Sequence, residues 1–96
     1  MKQNTLRGKL LDFLKYLYPE GAEINEVITV FFQYHKVADI EEALEYLSDK
    51  GYILKKEVPH PYRAKESIRW YKILPKGIDL INGDIADEPG ISIIRR

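Results

Sequence analysis

The chain has 96 residues, no cysteine, and fifteen Lys and Arg against fifteen Asp and Glu, so its formal net charge is zero. That length suits one domain burying about 60–65% of its unfolded surface, and the missing cysteines exclude a disulfide framework, a thiolate nucleophile and cysteine-ligated zinc or iron–sulfur centres. No run approaches the roughly 18 apolar residues of a membrane span and the basic N-terminus lacks a signal-peptide core, so a cytoplasmic protein without membrane attachment is expected.

Along the chain, Leu6, Leu10, Leu14 and Leu17, widened by Leu11, Phe13 and Tyr18, mark a first helix over 5–18, with Thr5 as its N-cap and Pro19 and Gly21 ending it. A short strand over 22–24 leads to Asn25, an N-cap for a second helix that carries Glu26 in its first turn and Val27, Ile28, Phe31 and Tyr34 on one face. Residues 27–32 also have strand propensity, but the pattern runs for about ten residues into a short turn at 35–38, which favours helix. A third helix follows. Asp39 and Glu42 have capping-box spacing, Ile40, Ala43, Leu44 and Leu47 form its apolar stripe, and Glu41, Glu42, Glu45 and Asp49 are expected to face water. Lys50 suits the negative end of that helix, and Gly51 can take the left-handed conformation of a C-terminal cap.

Residues 52–58 and 68–74 read as the two strands of a hairpin, with Pro59 and Pro61 excluding the intervening segment from a central strand. Pro75 opens a fourth helix with a stripe of Ile78, Ile81 and Ile85 and a cap at Gly83. Asp87-Glu88-Pro89-Gly90 is a turn signal, and Ile91 to Ile94 read as a strand that either packs back on the domain or pairs with another copy. The domain is set at 1–86 and the tail at 87–96. Expected core residues are Leu10, Leu14, Leu17, Ile28, Phe31, Ile40, Leu44, Leu47, Ile53, Tyr71 and Ile73.

The charge is segmented. Residues 18–50 hold eight carboxylates against two lysines, and residues 51–76 hold seven cations against two glutamates. Helix, Lys50-Gly51-Tyr52-Ile53, basic strand, loop, second strand and Pro75-Lys76-Gly77 together resemble the winged helix-turn-helix family. The run from Leu74 to Ile81 followed by Pro89-Gly90-Ile91 is similar to small phage-encoded members. The resemblance implies an α+β fold with a three-helix core, a hairpin wing, a fourth helix and a C-terminal tail. It also implies a DNA-binding or transcription-regulating role, and dimers are common in that family.

In such a protein the wing residues Lys55, Lys56, Arg63, Lys65, Arg69 and Lys72 would meet phosphates of double-stranded DNA, with a basic first helix as a further contact. The competing reading is a solubilising hairpin whose edges are protected by charge and proline. The third helix departs from the family's usual recognition role. Several glutamates approaching a polyanion are repelled over the Debye distance of about 8–10 Å. The alternative function is therefore protein association through Glu41, Glu42, Glu45 and Trp70, where Trp70 either points outward or is half-buried. A homodimer is expected from the wide apolar arc of the first helix and the apolar tail. His35 and His60 stand alone, and nothing apolar surrounds the third-helix carboxylates to perturb them. No metal, no cofactor and no enzymatic activity are expected.

Overall fold

The computed structural model describes residues 3–93. Its elements are α1 (Gln3–Leu17), β1 (Ala22–Glu23), α2 (Ile24–Phe31), α3 (Val37–Asp49), β2 (Ile53–Pro59), β3 (Ser67–Ile73) and α4 (Pro75–Asn82). The described residues thus form an α+β fold of four helices and one antiparallel sheet ordered β1-β3-β2. Among them no helix is long and apolar enough to cross a membrane.

The heptad-like spacing of leucines builds the core from α1 outward. Leu6, Leu10, Leu11 and Leu14 are buried, and they meet Ile40, Ala43, Leu44 and Leu47 of α3 and Leu80 and Ile81 of α4. Each fully buried leucine or isoleucine contributes roughly 1.5–3 kcal/mol of transfer free energy. The sheet closes the other side with Ala22, Ile53, Tyr71 and Ile73. Leu17, Ile28 and Phe31 lie at the rim, partly buried against this cluster, with Phe13 and Phe31 meeting edge to face at 5.7 Å.

Helix starts differ from expectation. α1 is already helical at Gln3, so Thr5 is no cap. α2 is capped by Glu23 and not by Asn25, because Glu23 and Glu26 form the reciprocal box: the Glu23 N–H donates to Glu26 Oε1 at 3.4 Å. α2 ends at Phe31, which leaves Tyr34 exposed in the following turn. α3 starts at Val37 with Lys36 as N-cap, because the Asp39 and Ile40 N–H groups already bond to the Lys36 carbonyl. Asp39 stands one turn inside, where a negative charge complements the helix dipole.

Helix stops match the glycines. Gly51 has φ +81°, the Tyr52 N–H bonds to Leu47 O and the Gly51 N–H to Ser48 O, a Schellman ending. Gly83 (φ +82°) closes α4 in the same way through Asp84 N–H to Asp79 O. Gly83 also ends the helical stripe early. Gly77, Leu80 and Ile81 form the buried face of α4, and Ile85 lies beyond the helix, partly buried.

The hairpin runs one residue later at its start and ends one earlier than expected, pairing Ile53 with Ile73, Lys55 with Tyr71, Lys56 with Trp70 and Glu57 with Arg69. β2 lies at the sheet edge, which accommodates Pro59 as its last residue. At the hairpin's root three chain segments converge on 50–52. Lys76 Nζ donates to Lys50 O at 3.0 Å, the Leu74 N–H to Tyr52 O at 3.0 Å, and a Cβ on Gly77 would stand 2.5 Å from that same Tyr52 oxygen.

The tail packs back. Ile91 is buried, the Ser92 N–H bonds to Asn4 O at 3.0 Å, and the turn at Pro89-Gly90 closes through Ile91 N–H to Glu88 O. Residues 91–93 form no strand, and Ile94 lies outside the described residues.

Candidate functional site

Alternation along β2 and β3 divides the basic hairpin between two faces. Lys55, Glu57, Arg69, Tyr71 and Ile73 share the helix-facing side with Ile53, and Leu54, Lys56, Val58, Ile68, Trp70 and Lys72 share the outer side. The six cations read from the sequence therefore do not form one surface.

On the helix-facing side, Lys55 Nζ donates to Glu45 Oε1 and Arg69 Nη2 to Glu41 Oε2, both at 2.8 Å. Glu41 and Glu45 thus face the hairpin, half-exposed and paired, instead of the open water expected for them. The i, i+4 repulsion between them is answered by two cations. The hydrogen bond that Lys55 donates to Glu45 raises the Lys55 pKa, and the one that Arg69 donates to Glu41 raises the Arg69 pKa, each holding its cation in the charged form. Exposed pairs of this kind add little to stability, because solvent screens them and two long side chains must be ordered. Beneath them Tyr71 is fully buried with its hydroxyl unpartnered, and burial raises its pKa. Glu42 and Asp49 remain exposed on α3.

On the outer side the cations rest on rings. Lys56 Nζ lies 4.7 Å from the centroid of the Trp70 ring, and Lys72 Nζ lies 5.9 Å from that of Tyr18. Trp70 points away from the core but is half-buried. Its neighbours include Gly21, where a Cβ would come within 2.6 Å of Trp70 Cζ2.

The tip between β2 and β3 is internally braced. The His60 N–H donates to Glu66 O at 2.9 Å, the Tyr62 N–H to His60 Nδ1 at 3.0 Å, and Arg63 Nη1 to Glu66 Oε2 at 3.2 Å. Tyr62 is 91% exposed, and Lys65 is exposed with no ion pair among the described residues. A polar cleft of mixed charge between the start of α2 and this tip is lined by Asn25, Glu57, His60, Arg63, Glu66 and Arg69.

The basic first helix is committed elsewhere. The Arg7 guanidinium stacks 3.6 Å over the Tyr46 ring and donates to Gly90 O at 3.2 Å, and Lys15 Nζ donates to Asn82 Oδ1 at 2.9 Å. The tail carboxylate Glu88 accepts from the Tyr46 and Tyr52 hydroxyls at 3.1 and 3.3 Å, and lies 3.9 Å from Lys50. Burial pushes the Glu88 carboxyl up, but the Tyr46 hydrogen bond and the Lys50 charge outweigh it, and the group titrates below its ordinary range. Burial, reinforced by Glu88, raises the Tyr52 phenol. His35, in the α2–α3 turn, has its pKa lowered by burial and then by Lys9.

Sequence reasoning missed an exposed apolar turn. Val30, Phe32, Tyr34 and Val37 are each between 42% and 78% exposed around the end of α2 and the start of α3. The signal was present: Val30 and Phe32 flank Phe31, and no helical stripe can bury three consecutive directions. Comparison with protein-family models, curated proteins and solved structures finds no match for this chain.

Proposed function

We propose that this chain is a winged helix-turn-helix module that binds double-stranded DNA, mainly through backbone phosphates met by the tip and outer face of its hairpin. The observation that carries the reading is the pairing of β1 with β3 in the element order α1-β1-α2-α3-β2-β3. That pairing ties the helix-turn-helix pair α2–α3 and the hairpin to one core, so a basic hairpin projects beside α3. The contacts assigned are Lys65 at the tip, where Arg63 beside it keeps 67% of its side chain exposed even while pairing with Glu66, and Lys56 and Lys72 on the outer face. Lys72 and Lys56 lie over rings and not against carboxylates, which leaves their charge available to phosphate. The exposed positions of α3, including Ala38, Glu42 and Asp49, offer few donors to base edges, so binding is expected to depend strongly on salt and weakly on sequence.

Anisotropy of a labelled duplex, titrated at several salt concentrations, tests this. The native chain should bind with a Kd on the order of 1–100 μM at physiological salt, and Arg63→Gln with Lys65→Gln should weaken binding and flatten the slope of log affinity against log salt by up to about 1.8, two phosphates at about 0.9 each. Absence of binding at about 50 mM salt would remove the reading. That outcome would favour the second one, protein association, for which the exposed turn of Val30, Phe32, Tyr34 and Val37 is a better surface than the paired glutamates of α3.

A further inference from the structure

Glu41 and Glu45 stand one turn apart on α3, and their carboxylates take the hydrogen bonds that Arg69 and Lys55 would otherwise offer to an anion. The two cations lie on adjacent strands of the hairpin, on its helix-facing side, two residues apart in register. A carboxylate oxygen at 2.8 Å from a guanidinium or ammonium is held by the same charge-assisted bond that a phosphate oxygen makes. All four side chains keep between 35% and 41% of their surface exposed, so a polyanion can reach the cations once the carboxylates turn away. Glu42 and Asp49, exposed on the same helix, make no such pair among the described residues. The carboxylates are therefore placed selectively against the only hairpin cations on that side.

We propose that the Glu41–Arg69 and Glu45–Lys55 pairs are an autoinhibitory contact, in which α3 masks two phosphate-binding cations of the hairpin with carboxylates that a nucleic-acid backbone must displace. The inference rests on the DNA-binding reading above and deepens it by assigning a regulatory role to the acidic helix. Masking holds affinity down for isolated phosphates and weakly apposed duplex, and yields only where several phosphates arrive together. It also explains how an acidic helix can sit beside a basic hairpin: the helix is the hairpin's own competitor.

The test compares two variants with the same change of charge. Glu41→Gln with Glu45→Gln unmasks both cations, and Glu42→Gln with Asp49→Asn removes two equally negative groups that mask nothing. Binding of the labelled duplex is followed by anisotropy between about 50 and 200 mM salt. The unmasked variant should bind at least about tenfold more tightly than the control variant at the lower salt, with a slope steeper by up to about 1.8. Adding Lys55→Gln and Arg69→Gln to the unmasked variant should abolish that gain, a cycle that does not depend on any one variant's stability. Equal affinities and slopes for the unmasked and control variants, with the native chain binding, would overturn the masking contact and leave the DNA-binding reading standing. No binding by any of the chains at about 50 mM salt would overturn both.

Discussion

Gly8 lies buried in the middle of α1, where an alanine should favour the helix by about 1 kcal/mol. Here the opposite sign is expected. A Cβ on Gly8 would overlap the Ser92 carbonyl oxygen and stand 2.9 Å from its carbon, and neither the helix backbone nor the tail backbone is a flexible side chain that can swing away. Gly8→Ala must therefore lift the tail. Lifting it exposes Ile91, now 5% exposed, at a cost of about 1.5–3 kcal/mol. It also breaks the Ser92–Asn4 and Arg7–Gly90 hydrogen bonds, about 0.5–1.5 kcal/mol each. After the helical gain of about 1 kcal/mol is subtracted, the loss is about 1.5–5 kcal/mol, a large part of the roughly 5–15 kcal/mol available to a domain of this size. The melting temperature should fall by about 7–25 °C in thermal circular dichroism, and the Ile91 methyl resonances should move toward solvent-exposed positions. A variant as stable as the native chain, with native Ile91 shifts, would refute the close approach of tail and helix.

Two further substitutions probe single side chains. Glu88 has a folded pKa below its ordinary value of 4.5, so its contribution is complete above that value and is lost as pH falls through the lowered folded value. Stability against urea should drop across that acid window in the native chain and stay flatter in Glu88→Gln; identical pH profiles would show that the carboxylate does not clamp the two tyrosines. Tyr71→Phe removes a buried hydroxyl that has no partner, so stability should hold or rise by up to about 1–3 kcal/mol in urea melts, and a loss beyond about 1 kcal/mol would reveal a bond the hydroxyl makes.

Elements whose signal is local were legible in the chain. The leucine stripe of α1, the stripe Ile40, Ala43, Leu44 and Leu47, and the left-handed stops at Gly51 and Gly83 all follow from side-chain period and backbone freedom. The helix starts were misread. Glu23 and Lys36 are poor caps by propensity, yet α2 starts at the local box that Glu23 makes with Glu26 and α3 starts where the Lys36 carbonyl takes the first helical bonds, both earlier than Asn25 and Asp39 would place them. The site was less legible than the fold. Strand alternation predicts that Lys55 and Lys56 part company, yet which of them meets α3 depends on helix orientation, which no periodicity encodes. Glu88 illustrates the same limit: its partners Tyr46 and Tyr52 are 42 and 36 residues away, and only the path of the tail brings them together.

The convergence of α3, the hairpin and the start of α4 on residues 50–52 makes the hairpin a cantilever, clamped at its root and free at its tip. Rotation of the whole hairpin about α3 would have to break the Lys55–Glu45 and Arg69–Glu41 pairs, the β1–β3 ladder and the Lys76–Lys50 bond together. Bending is therefore confined to the span beyond the core, where the strands carry charged and aromatic residues and few buried ones.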